Sequence, residues 1–227
     1  LGNAAAHHVD ASALLSLANW IASQTGCKVG YLTEAANTVG AKLVKAQPQT
    51  GGQNAAQMLS GSCKAVVLLG CEPAADSAAG AAAVAALQQA DMVVSLNAFK
   101  TNLDVADVLL PISPFTETSG TFVNAAGLAQ SFHTVVKPLG ETRPAWKVLR
   151  VLCNLMGIPG TDFETSQDVL AATGLTVGQV SEAQLSNACD APIEFKAIAL
   201  DAAPSVAGIY QLDGLVRRAP ALQHTVD

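Results

Sequence analysis

Two near-continuous apolar runs organise the first half of the chain, Ala65–Leu69 (AVVLL) and Asp91–Leu96 (DMVVSL). Each is short, rich in β-branched residues and followed at once by polar or glycine positions. That pattern predicts strands buried on both faces, as in a parallel sheet. A third, shorter run, Val108–Leu110, is ended by Pro111. Between the first two lies an alanine-rich stretch that Asp76 is placed to cap as a helix running to about Gln89. Strand, helix and strand at this spacing predict βαβ units. The expected fold class is α/β, a doubly wound and mostly parallel sheet with helices on both faces, plus a small mixed C-terminal appendage.

Upstream, Asp10–Gln24 places Leu14, Leu15, Leu17, Ala18 and Ile21 on one face of a helix. Asp10 or Ser12 can cap it and Gly26 stops it. Lys28–Leu32 (KVGYL) reads as a short strand and Thr33–Pro48 as a turn with a short helix. Asn54 can cap a helix over Ala55–Leu59. Beyond Pro111, the runs Thr121–Asn124 and Leu128–Phe132 flank Ala125–Gly127, a hairpin-sized turn. Glu141–Met156 reads as a helix with Pro144 in its first turn and Gly157 as its stop. Thr165–Ala172 and Val177–Ala188 read as shorter helices. From Pro192 the alternation of apolar and polar runs predicts one or two edge strands and a tail. The expected division is an α/β domain over 1–160 and a helical and irregular appendage over 161–227.

Composition narrows the function. Of 227 residues, half are apolar and only 13% charged, with a formal net charge of −6; average domains carry about 25% charged residues. Low charge with high hydrophobicity excludes a disordered chain. With 12 Lys+Arg against 18 Asp+Glu and no basic run, a nucleic-acid partner is excluded as well. The most apolar run, Ala78–Leu87, is about half the ~20 residues that a spanning helix needs, so direct membrane insertion is not expected. The charge deficit implies either a large core or a surface covered by something else. The start, LGNAAAHH, has neither Met nor a signal pattern, which is read as a piece of a longer or processed protein.

Cys27, Cys63, Cys71, Cys153 and Cys189 form no C-x-x-C pair, so the spacing of zinc and iron–sulfur ligands is missing and no metal site is expected. Their odd number, without a secretory signal, fits reduced thiols packed as small core hydrophobes. His7, His8, His133 and His224 have no nucleophile at catalytic spacing, and no G-x-S-x-G elbow occurs. No catalytic residue is assigned. A free-standing active site built from Glu72, Asp76, Glu117 and His133 lacks any pairing visible from spacing.

In open α/β sheets, ligands bind beyond the carboxyl ends of the strands. Two loops occupy that position, Gly70-Cys71-Glu72-Pro73 and Asn97-Ala98-Phe99-Lys100. Neither G-x-G-x-x-G nor a P-loop follows a strand. Gly70 suits a tight turn with close approach to a ligand. Glu72 would repel a phosphate but could accept from ribose hydroxyls. Ordinary strand-end turns explain the same residues. A third segment, Ala106–Gln130, is dense in Pro, Thr, Ser and Gly, and its strongest hydrogen-bonding residues are Glu117 and Asn124.

At that segment a resemblance appears. A-D-V-L-L-P, E-T-S-G-T-F-V-N and V-V-K-P-L-G-E-T-R-P-A-W-K-V-L are similar to the molybdopterin oxidoreductase family. More closely they resemble the branch of it that forms the large iron–sulfur subunit of bacterial NADH:quinone oxidoreductase, respiratory complex I. TEAANTVGAKL (Thr33–Leu43), the opening LGNAAAHH and LVRRAPALQHT (Leu215–Thr225) share the likeness. The resemblance implies a fragment that lacks the cluster-binding region, with iron–sulfur clusters held elsewhere in the full subunit and no cofactor in this part. It implies a structural domain supporting electron transfer from NADH to quinone. Its partners would be other subunits of the peripheral arm, on the cytoplasmic side of the bacterial inner membrane. Relatives that are molybdenum enzymes, such as formate dehydrogenase, bind a pterin–guanine dinucleotide at these strand ends. Here Glu72 stands where they carry Asn, Asn97 where they carry a guanine-reading Asp, and Leu128 follows Gly127 where many have Arg. An amide offers a donor where guanine's donors need an acceptor. Gly70, Glu72, Pro73, Asn97, Lys100, Glu117 and Asn124 are therefore expected to line an ancestral pocket that no longer functions. The alternative is a retained pterin- or nucleotide-binding domain of a molybdopterin-type oxidoreductase.

Overall fold

The computed structural model describes residues 1–194 and 208–225. The chain divides into two compact units, one of Leu1–Ala46, Thr121–Phe132 and Gln167–Pro204, the other of Gln47–Gly120, His133–Ser166 and Ser205–Asp227. The fold is α/β.

The second unit is built on a parallel three-stranded sheet of β1 (Ala65–Leu69), β2 (Met92–Asn97) and β3 (Val108–Pro111), in that order. Leu69 pairs with Leu96 and Leu96 with Leu110, so the three strands end level. All three predicted strands form. The central strand is the buried one, with Leu96 at 0% and Val93 at 1% exposure. Leu68, Val93 and Leu87 of the helix Ala81–Leu87 make the core. The expectation that β1 is buried on both faces fails: Val67 is 58% exposed and Leu69 is exposed too. β1 is an edge strand, and the helix covers only the face that carries Leu68.

Asp76 does not cap the alanine-rich helix. It ends a single turn, Pro73–Asp76, and the longer helix begins after Gly80, whose φ of +49° turns the chain. The Asp76 carboxylate is drawn instead to the Glu72 N–H and to Arg217. Asn54 does cap, sharing a reciprocal box with Gln57 at 2.9 Å in both directions. That short helix, Ala55–Gln57, continues into a wider turn over Met58–Ser62. Pro144 stands just outside the helix Ala145–Leu155, at its cap.

In the first unit, the helix Ala11–Thr25 ends at Gly26 in the left-handed conformation, while Asp10 holds the cap position without a side-chain bond. Lys28–Leu32 is not a strand. Its backbone is tied to the chain start by two bonds, Leu32 N–H to the Leu1 carbonyl and the Leu1 amino group to the Gly30 carbonyl, each 2.7 Å. β4 (Gly120–Val123) and β5 (Leu128–Phe132) form the predicted hairpin, with Phe122 and Phe132 edge to face at 5.0 Å. In place of the helix expected over Val177–Ala188, β6 (Gly178–Gln179) pairs antiparallel with β5 and a 3-10 turn follows over Glu182–Leu185. Burial of Val180 against Val123 and Ala129 overrides helical propensity there. Gly127, at φ +79°, leaves room for Leu185, which a Cβ would strike.

Of the cysteines expected to pack as core hydrophobes, Cys71 lies against the Leu68–Leu87–Val93 core, and none is fully buried. Cys27 is exposed and the other four are partly buried. The segment 208–225 forms helical turns over Ile209–Gln211, Gly214–Arg217 and Pro220–Gln223, not edge strands. The rest of that predicted region, 195–207, lies outside the described residues. Among the described residues no helix is long and apolar enough to cross a membrane.

The motif TEAANTVGAKL has a packing reason. Asn37 folds over the helix Thr38–Leu43, and its Oδ1 accepts from the N–H of buried Val123 at 2.8 Å. A Cβ on Gly40 would overlap the Asn37 side chain. Gly40→Ala therefore destabilises the protein by about 1–2 kcal/mol in urea melts, although helix propensity alone favours alanine.

Candidate functional site at the strand ends

Because β1, β2 and β3 end together, their following loops meet on one edge of the sheet. They enclose a cavity of about 220 Å³ lined by Gly70, Glu72, Asn97, Phe99, Ser113 and, from the C-terminal segment, Asp213, Gly214 and Arg217 among others. Gly70 has φ +61°, and its N–H donates to the Leu96 carbonyl at 2.8 Å. Glycine is required here by conformation: a Cβ would meet nothing within 4 Å.

Asn97 is nearly buried and serves the turn. Its Oδ1 accepts from the Phe99 N–H at 3.1 Å, leaving less acceptor capacity for a ligand. Beneath it, Asn102 adopts φ +58° and donates Nδ2 to the Cys71 carbonyl and to Ser95 Oγ, both at 3.0 Å. This bond ties the first strand-end loop to β2. Burial, then the nearby Asp76, pushes the Cys71 thiol above its ordinary value, which makes it a poor nucleophile.

Electrostatics dominate the rim. Arg218 grips Glu72 with both nitrogens, Nη1 to Oε1 at 2.8 Å and Nη2 to Oε2 at 3.0 Å. Its guanidinium also lies 4.3 Å from the centre of the Phe99 ring. Arg217 bonds Asp76 at 2.7 Å and approaches Glu72 at 3.4 Å. Both side chains are well shielded, 11% exposed at Arg217 and 15% at Glu72. The Arg218 hydrogen bond, outweighing burial, holds the Glu72 carboxyl below its usual range. The Asp76 hydrogen bond raises the Arg217 guanidinium further. Arg217 Nε is buried with no acceptor among the described residues.

The sequence candidates separate. Gly70, Glu72 and Asn97 line the cavity, buried Pro73 starts the turn that follows Glu72, and Lys100 ends the second loop, exposed. Glu117 is engaged elsewhere, accepting from the Leu139 N–H at 3.0 Å. Asn124 belongs to the other unit, where its Oδ1 accepts from Ala126 and Leu128, both at 3.0 Å. Sequence reasoning missed Arg217, Arg218, Asp213 and Ser113. The paired arginines of LVRRAP were the available signal. Among the described residues, no three His, Cys, Asp or Glu side chains are placed to hold a metal ion.

The chain belongs to the molybdopterin oxidoreductase family, which it matches over residues 1–155. Proteins of two Staphylococcus aureus strains, each named "Putative formate dehydrogenase", are 39% and 36% identical to it over 74 residues. Those stretches cover 32% of this chain and 8% of each relative, so the chain spans a small part of their length. Among solved structures, acetylene hydratase from Pelobacter acetylenicus is similar at 21% identity and a TM-score of 0.42, over 54% of this chain and 18% of that one.

The family implies a pterin dinucleotide, and the residues fit it in part. A cavity of about 220 Å³ takes a base- or sugar-sized group but is smaller than the ~300–1,000 Å³ usual for a whole ligand of drug size. Glu72 and Ser113 offer groups for base or hydroxyl. A diphosphate fits poorly, because the two guanidinium groups at the rim are already bound to carboxylates.

Glu72 binds its proton less readily folded than unfolded. Its contribution to stability is therefore complete above the ordinary value of 4.5 and is lost as pH falls below it. Glu72→Gln lowers stability at pH 7 by about 1 kcal/mol. Below pH 4.5 the wild type converges on the variant, a trend that urea melts across this range will show.

Proposed function

We propose that this chain is the part of a molybdopterin-type oxidoreductase that forms a nucleoside-sized site at its strand ends. The observation that carries this reading is the cavity at the level ends of three parallel strands, lined by Gly70, Glu72, Asn97 and Ser113. Arg217 also lines it, its guanidinium held by Asp76 and Glu72. The formate dehydrogenase name of the relatives supports redox chemistry for the whole protein. Within it this chain binds and orients, and the redox step belongs to the cofactor.

A second reading has its own support. Both carboxylates of the first strand-end loop are neutralised within the chain, and Val67, Leu69, Met92 and Val108 leave apolar strand surface exposed. A structural domain packed among other subunits, as in the large iron–sulfur subunit of NADH:quinone oxidoreductase, would need both features.

Native mass spectrometry with metal analysis, on the protein isolated from its own cells, separates the two. The first reading expects a nucleotide or pterin in stoichiometric amount. A protein that carries neither and co-purifies with NADH dehydrogenase subunits sinks it and leaves the second.

A further inference from the structure

The Arg217–Arg218 segment is joined to the strand-end loop by more than surface charge. Arg218 is bound to Glu72, and Arg217 to Asp76 with Glu72 also within 3.4 Å. Arg218 adds the Phe99 ring, and Arg217 Nη1 also donates to the Gln211 carbonyl at 2.8 Å. Gly214 comes so close that a Cβ there would stand 3.1 Å from Glu72 Oε1. Asp213 closes the turn, its Oδ1 accepting from the Leu215 N–H at 2.7 Å. The helix over Gly214–Arg217 has four residues, far too few to be stable alone. Gln211 and Gln223 hold it from within the same segment, Gln223 Nε2 donating to the Val216 carbonyl at 2.9 Å, and Glu72, Asp76 and Phe99 hold it from the strand-end loops.

We propose that Glu72, Asp76 and Phe99 form an arginine receptor whose resident ligand is the chain's own Arg217–Arg218 segment, which caps the strand-end cavity in cis. Two carboxylates beside an aromatic face are complementary to guanidinium groups, by bidentate hydrogen bonding and by stacking. Asp213, Gly214, Leu215 and Arg217 form one wall of the cavity, so release of the cap opens that wall and exposes two acidic groups. The cavity then takes a larger ligand, and the receptor takes a guanidinium from another source. This rests on the reading that the strand-end cavity is the binding site.

Hydrogen exchange read by mass spectrometry on the full chain tests it. In the double variant R217Q/R218Q, amides of 70–77 and 213–218 exchange about tenfold faster or more, together, while β2 changes by less than about twofold. The peptide GLVRRAP, added in trans at millimolar concentration, restores slow exchange to 70–77 in that variant, and GLVQQAP does not. Unchanged exchange of 70–77 overturns the proposal, as does equal protection by both peptides. Should the double variant unfold β1–β3, Glu72→Gln alone removes the bidentate pair, and the same coupled loss over 70–77 and 213–218 is required. Guanosine monophosphate, titrated into both chains, keeps the two ideas apart. Coupled exchange without nucleotide binding upholds the cap and counts against the strand-end binding site. Tighter nucleotide binding by R217Q/R218Q than by the wild type upholds both.

Discussion

Parallel pairing forces β1, β2 and β3 to point the same way, and their register brings Leu69, Leu96 and Leu110 to one level. Every loop that leaves those ends must then share one edge of the sheet, where backbone groups need partners and side chains crowd together. The glycine at position 70, the Asn97 turn and the Asn102 bridge are local answers to that demand. Asn102 accepts a left-handed backbone because its amide reaches both the Cys71 carbonyl and Ser95.

The same crowding makes charge the controlling quantity. A carboxylate at a shielded strand end costs free energy unless it is paired. Glu72 stands at such a position, and Asp76 one turn on adds a second negative group. The chain answers with Arg217 and Arg218 from a segment far away in sequence. That answer also defines the site: it supplies one wall of the cavity and commits the cations that a diphosphate would need. The edge therefore suits a base or sugar better than a diphosphate.

Much of the fold was legible because its signals are local. Three apolar runs became three parallel strands, and the Gly26 stop and the Asn54 cap fell where capping chemistry put them. What failed were elements decided by contacts distant in sequence. KVGYL has strand composition but its neighbour is the chain start. Val177–Ala188 has helical periodicity, yet Val180 is claimed by the hairpin core. Asp76 looks like a cap until Arg217 arrives. The site divides in the same way. Gly70, Glu72 and Asn97 follow from the strand-end rule, whereas nothing along the chain says that two arginines near its end return to Glu72. Asn124 and Glu117, prominent in the sequence, spend their hydrogen bonds on hairpin and loop.

A double-mutant cycle on Glu72 and Arg218 addresses the pairing at the centre of this picture. Wild type, E72Q, R218Q and E72Q/R218Q are compared by urea unfolding at neutral pH and low salt. The expected result is a coupling energy of about 1 kcal/mol that shrinks as salt is added. Effects that add within about 0.3 kcal/mol would show that the two groups stand side by side without holding the strand-end loop, and would contradict it.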